Sequence, residues 1–237
     1  MRRGFSIAAT VLLLSLSLAQ EYTLKLNVKE GDTFRYKATM ELEFSGQPVL
    51  VTFTTTDRVL KVEQDGTVQM EWAASEAMIK FGDQEITQPA SPPIKINLKP
   101  NGALAKIEGE TESPVMFRSG WTVFPEKPIR VGDRWSNTLK VGESEIRYEY
   151  EFVGVEKVND MEALRIKVAA SSPDTEFNSN GLVLVDAKSG IPLKMEIQFK
   201  SMQVSPSYPP LDGTLKMELV KGNGSLAPQG KDNSSTP

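Results

Sequence analysis

The chain has 237 residues, 39% hydrophobic and 24% charged, with a formal net charge of −4 and neither histidine nor cysteine. Disulfides, thiolate or imidazole metal sites, cysteine nucleophiles and histidine-based triads are thereby excluded. The acidic balance grows once Arg2 and Arg3 are discounted, and with no basic stripe anywhere a nucleic-acid partner is not expected.

Arg2 and Arg3 precede an apolar run from Ile7 to Leu18, and Ser17-Leu18-Ala19 places small residues where a signal peptidase reads. Residues 1–19 are therefore predicted to be a secretory signal peptide. The run is about a dozen residues, and a spanning helix needs about 20, so no transmembrane anchor is expected in the mature chain. No Cys follows the run to carry a lipid. The predicted location is exported, either periplasmic or extracellular.

The mature chain reads as strands. Leu24, Leu26 and Val28 alternate with polar residues, and Phe34, Tyr36, Ala38, Met40, Leu42 and Phe44 alternate strictly with Arg35, Lys37, Thr39, Glu41 and Glu43. Further segments run from Asp57 to Glu63, Val68 to Trp72 and Ile94 to Leu98. Later alternations are Ile146 to Phe152, Leu164 to Val168, Leu193 to Phe199 and Leu215 to Leu219. Ser45-Gly46, Asp65-Gly66, Gly82-Asp83, Asn101-Gly102, Asn159-Asp160 and Ser189-Gly190 supply the turns. The only helical candidate is a turn or two between Ser113 and Trp121, opened by Pro114. Residues 88–93 and 205–210 are proline-rich loops, and 222–237, rich in Gly, Ser, Asn and Pro, read as a disordered tail. The expected fold is all-β: a strongly curved antiparallel sheet, half-barrel or open barrel, spanning 20–221 with little helix.

Lys29-Glu30-Gly31-Asp32-Thr33-Phe34 and Arg130-Val131-Gly132-Asp133-Arg134-Trp135 share the pattern basic, x, Gly, Asp, x, aromatic, and each opens a long alternating run. Two accounts stand: a duplication with halves at 22–112 and 125–221, or two independent Gly-Asp turns. With the late segment Gly181 to Phe199, a strand ending in Asp that turns at Ser-Gly into another strand, these motifs resemble exported β-rich bacterial proteins of uncharacterised function. Some of that class are similar to half-barrel lipid carriers of the bacterial envelope. The resemblance implies a curved sheet that cups an acyl chain.

Candidate chemistry is sparse. Asp32 with Asp133, or Asp57 with Asp83, could form the carboxylate pair of a glycoside hydrolase, against the simpler role of capping turns. Lys188-Ser189 lies in a turn and lacks the rigid support a Ser-Lys nucleophile needs. Asp174, Glu176, Asn178 and Asn180 place oxygens at every second position before Gly181, yet a calcium loop's closing acid falls on Ala187. No catalytic residue, metal or cofactor is predicted. Phe117, Trp121 and Phe124, aromatics in the connection between the halves, are the candidate ligand-binding residues, with plugging of the core as their alternative role.

The leading functional reading is a non-catalytic binding or interaction module of the cell envelope, its partner a lipid or other apolar ligand or an envelope protein. A dry cleft lined by Met40, Tyr148 and Phe199 would favour it. A carboxylate-based glycoside hydrolase and a purely structural envelope protein with a filled core are the alternatives.

Overall fold

Strict alternation from Phe34 to Phe44 becomes the strand β1 (Thr33–Phe44) of one antiparallel sheet in the computed structural model, which describes residues 20–108, 122–141, 144–203 and 209–223. The other strands are β2 (Gln47–Val62), β3 (Val68–Ala74), β4 (Ala77–Phe81), β5 (Gln84–Gln88), β6 (Ile94–Leu98) and β7 (Leu104–Glu108) in the first half. They are β8 (Arg134–Val141), β9 (Ser144–Val158), β10 (Met161–Ser171), β11 (Asn178–Asp186), β12 (Pro192–Met202) and β13 (Leu211–Asn223) in the second. No helix occurs among the described residues. The predicted signal peptide and the Ser113–Trp121 turn lie outside them.

Sheet order is β7-β6-β3-β2-β1-β13-β12-β11-β10-β9-β8, with β4 paired to the first part of β2 and β5 to β4. The two halves therefore meet at β1 and β13, where Met40 pairs with Leu215. The sheet curves without closing. Inward residues of β6 and β7 (Ile96, Leu98, Leu104, Ile107) line the same small cavity as Leu139, Tyr148 and Tyr150 of β8 and β9. Inward side chains from both halves form one core, with Phe34, Val68, Met70, Phe152, Leu164, Ile166 and Val185 almost wholly buried. Each such side chain stabilises the fold by about 1.5–3 kcal/mol. Outward faces carry interstrand ion pairs such as Lys216–Glu41 and Arg134–Glu151, exposed enough to contribute less than about 1 kcal/mol each.

The predicted turns fall at hairpin ends. Ser45 and Gly46 both have positive φ, as do Asn159 and Asp160, giving two-residue loops whose twist matches their strands. One boundary differs from that expected from the sequence. Gly222 and Asn223, read as tail, belong to β13 and pair with Phe34 and Thr33, because an available ladder on β1 overrides weak β propensity.

Leu24, Leu26 and Val28 are buried as their alternation implies, but they belong to no strand. Their segment crosses one end of the sheet. The Leu26 N–H donates to the Pro100 carbonyl (2.8 Å), the Asn27 N–H donates to the Ser189 carbonyl (2.9 Å), and Tyr22 bridges Ile129. Alternation reports burial, and here turns rather than a neighbouring strand satisfy the backbone.

Candidate functional site

The N-terminal segment and residues 122–129 together fill that end of the curved sheet. Phe124 is 2% exposed, and its N–H donates to the Asn101 carbonyl (2.8 Å). Its ring lies over Gly102 and Gly190, where an added Cβ would meet the Thr122 and Lys25 carbonyls at 2.6 Å. Trp135 Nε1–H donates to the Val123 carbonyl at 2.6 Å, and Trp135 stacks on Tyr150 with ring centroids 5.4 Å apart. Phe124 is thus a plug of the core. Phe117 and Trp121 lie outside the described residues.

Small cavities lie among the described residues at either end of the sheet. The one between β6–β7 and β8–β9 has a volume of about 30 Å³ and includes Tyr148 in its lining. The other, about 10 Å³, lies at the opposite end among Met40, Phe177, Ile197, Phe199, Met202 and Leu215. Met40 and Phe199 therefore share a cavity, while Tyr148 lines a separate one. Either volume suits a water or two; drug-sized ligands occupy about 300–1,000 Å³.

The concave face does not end at the second cavity. Register places Ile197, Leu215, Met40, Val51, Ile79 and Ile86 directly opposite one another across β12, β13, β1, β2, β4 and β5. Directly paired residues share a face, so this is one apolar row. Its five interstrand steps span about 24 Å at about 4.8 Å each. Exposure rises along it: Ile197 is 2% exposed, Met40 7% and Ile86 54%. Phe44, on the same face, is 38% exposed. The hairpin of β4 and β5 thus extends the concave face as an arm, on which Ile79 is half-buried and Ile86 open.

A polar patch interrupts the apolar concave face on β1 and β2. Tyr36 pairs with Thr55, and Phe34 pairs with Asp57, so Tyr36, Thr55 and Asp57 point inward from neighbouring strands. All three are buried. The Tyr36 hydroxyl, Thr55 Oγ1 and Asp57 Oδ1 have no hydrogen-bond partner among the described residues. Burial pushes the Asp57 carboxyl up to about 7, and burial together with the nearby Asp57 raises the Tyr36 hydroxyl well above its ordinary value.

The other candidate groups serve the turns. Asp32 and Asp133 each accept a backbone N–H through Oδ2, from Lys29 (2.9 Å) and Arg130 (2.8 Å). Asp83 lies at the arm tip, beyond the Val49–Phe81 pair, and Asp57 is eight residues further along β2 from Val49. That separation is about 26 Å along the strand, so the two do not form a catalytic pair. The Ser189 hydroxyl donates to Asp186 Oδ2 at 2.6 Å and is buried. Asp174 Oδ2 accepts the Glu145 N–H (3.3 Å), and Thr175 Oγ1 accepts that of Phe177 (3.2 Å). Among the described residues, no three acidic groups come together as a metal site.

No protein-family model matches the chain, and no curated protein matches it. Among solved structures it is similar to a candidate exported protein with a YmcC-like fold from Bacteroides fragilis, at 11% identity and TM-score 0.34, covering 86% of this chain and 100% of that one. A DUF1329 family protein from Desulfovibrio piger matches at 9% identity and TM-score 0.26, covering 84% and 88%. A candidate outer membrane lipoprotein-sorting protein domain from Vibrio parahaemolyticus matches at 11% identity and TM-score 0.27, covering 85% and 88%.

Proposed function

We propose that this is an exported, non-catalytic binding module of the cell envelope that takes an apolar chain along the row from Met40 to Ile86. The observation that carries this reading is the rise in exposure along the row, from a packed base to an open apolar arm. Burying Ile86 and Phe44 under a ligand's hydrocarbon would remove apolar surface from water at about 25 cal/mol per Å². The ligand would lie on the arm, because the base of the cup is already filled by Phe124, Leu24 and Leu26.

The matching hydrogen bonds around Asp32 and Asp133 support a duplication of residues 22–112 and 125–221 as the origin of the curved sheet. A second reading, a purely structural envelope protein, is favoured by the filled core and the small cavities. Titration with a fluorescent fatty acid separates the two. Saturable binding weakened by Ile86→Glu supports the binding module; no binding by a folded protein supports the structural role.

A further inference from the structure

β2 changes neighbour partway along its length. Thr55 to Val62 pair with β3, and Val49 to Thr52 pair with β4. Between them the chain leaves the ladder at Ser75 and Glu76, where the contacts to β2 are the Ser75 N–H donating to the Thr54 carbonyl (2.8 Å) and the Thr54 N–H donating to Ser75 Oγ (3.0 Å). This break is the joint between the cup and the arm. Thr55 pairs with Ala74, the last residue of β3, and Asp57 pairs with Trp72. The unpartnered oxygens of Tyr36, Thr55 and Asp57 therefore lie directly under the joint.

Among the described residues of the neighbouring strands, the charge environment of Asp57 is simple. On β1 the inward neighbours are Phe34 and Tyr36, whereas Arg35 and Lys37 point outward and are exposed. On β3 its partner is Trp72, and beyond Trp72 on β6 is Ile94. Asp32 lies one inward position further along, beside Val59, with its carboxylate held by the Lys29 N–H. Tyr36 is thus the one titratable group facing Asp57 from these strands. No cation in them balances an ionised carboxylate, and a buried, uncompensated charge is relieved by opening toward water.

We propose that Asp57, with Tyr36 and Thr55, forms a proton-sensitive latch at this joint. With Asp57 protonated the end of the β2–β3 ladder stays closed; as its proton passes to solvent the ladder end opens and frees the arm to move against the cup. The proposal concerns the joint alone and holds whether or not the arm binds an apolar ligand. The elevated titration range of Asp57 places the transition between about pH 4 and pH 7, where the closed state binds the proton more tightly than the open one.

Amide hydrogen exchange of the full chain, corrected for intrinsic exchange chemistry, tests the latch. Between pH 5 and pH 7 the opening equilibrium at Thr55–Arg58 and Trp72–Ala74 should rise about fiftyfold, close to tenfold per pH unit until it levels off near pH 7. Amides of the β10–β11 ladder should not share the change. Asp57→Asn should remove the pH dependence at the joint, and retention of the wild-type profile in that variant would overturn the proposal. Carboxyl carbon NMR of the wild-type protein needs no variant to fold: an Asp57 inflection above pH 6 supports the latch, and one below that overturns it.

Discussion

Asp32 and Asp133 hold their turns through the same hydrogen bonds. Oδ2 of each accepts the N–H of the residue three before it, and the aspartate N–H donates to that residue's carbonyl at 3.0 Å. The aspartate carbonyl accepts from Val59 in one case (2.8 Å) and Phe152 in the other (2.9 Å). The preceding glycine, Gly31 or Gly132, donates its N–H back to the same residue (2.9 and 2.7 Å).

Because the bonds match, Asp32→Ala and Asp133→Ala should both destabilise, each by about 1–2 kcal/mol in urea denaturation. Asp32 is buried and Asp133 exposed, so the Asp32 loss should be the larger. Neither change should alter binding of an apolar probe once the protein is folded. A selective loss of binding would reassign these carboxylates from turns to a site.

The plug should behave as core. Phe124→Ala should cost about 3–5 kcal/mol, as for other buried aromatics. Gly190→Ala should destabilise too, because its Cβ would press on the Lys25 carbonyl and the Phe124 ring at a φ of +72°. Thermal unfolding measures both. A Phe124→Ala protein of undiminished stability would contradict the placement of this ring.

Asp57 sets a pH dependence of stability whose sign is fixed. Its folded-state titration near 7 lies above the unfolded value of 3.8, so its contribution is fully present below about pH 4 and is lost as pH rises toward 7. At pH 8 Asp57→Asn should be more stable than the wild type by up to about 4 kcal/mol, because each pH unit separating the folded and unfolded titrations is worth roughly 1.4 kcal/mol. The gap should close toward pH 4. Denaturation curves at both pH values check this, and a wild type more stable than the variant at pH 8 would contradict it.

Much of the sheet is legible in the sequence because period-two alternation and Gly- or Asn-containing turns state strand and hairpin directly. β4 and β5 are not, since Met78 and Ile79 put apolar side chains on both faces, and every residue of β5 is exposed. The segment at Leu24 misleads in the other direction, its alternation arising from burial beneath turns. Asp57 stands out in the sequence only as a match for Asp83. In the polar run from Thr54 to Arg58 nothing marks which side chains face inward, so its neighbours Tyr36 and Thr55 become visible only through strand register. The apolar row is hidden for the same reason: its members come from six strands.

Binding of an apolar chain at the open end of this row is tested most directly by native mass spectrometry of the protein purified without detergent from its own host, with titration of a fluorescent fatty acid into wild type and Ile86→Glu. An acyl species should be released on denaturation at near one-to-one occupancy, and Ile86→Glu should reduce probe affinity at least tenfold with little change in stability, since Ile86 is 54% exposed. An empty protein that binds no probe, or equal affinity in both proteins, would contradict it.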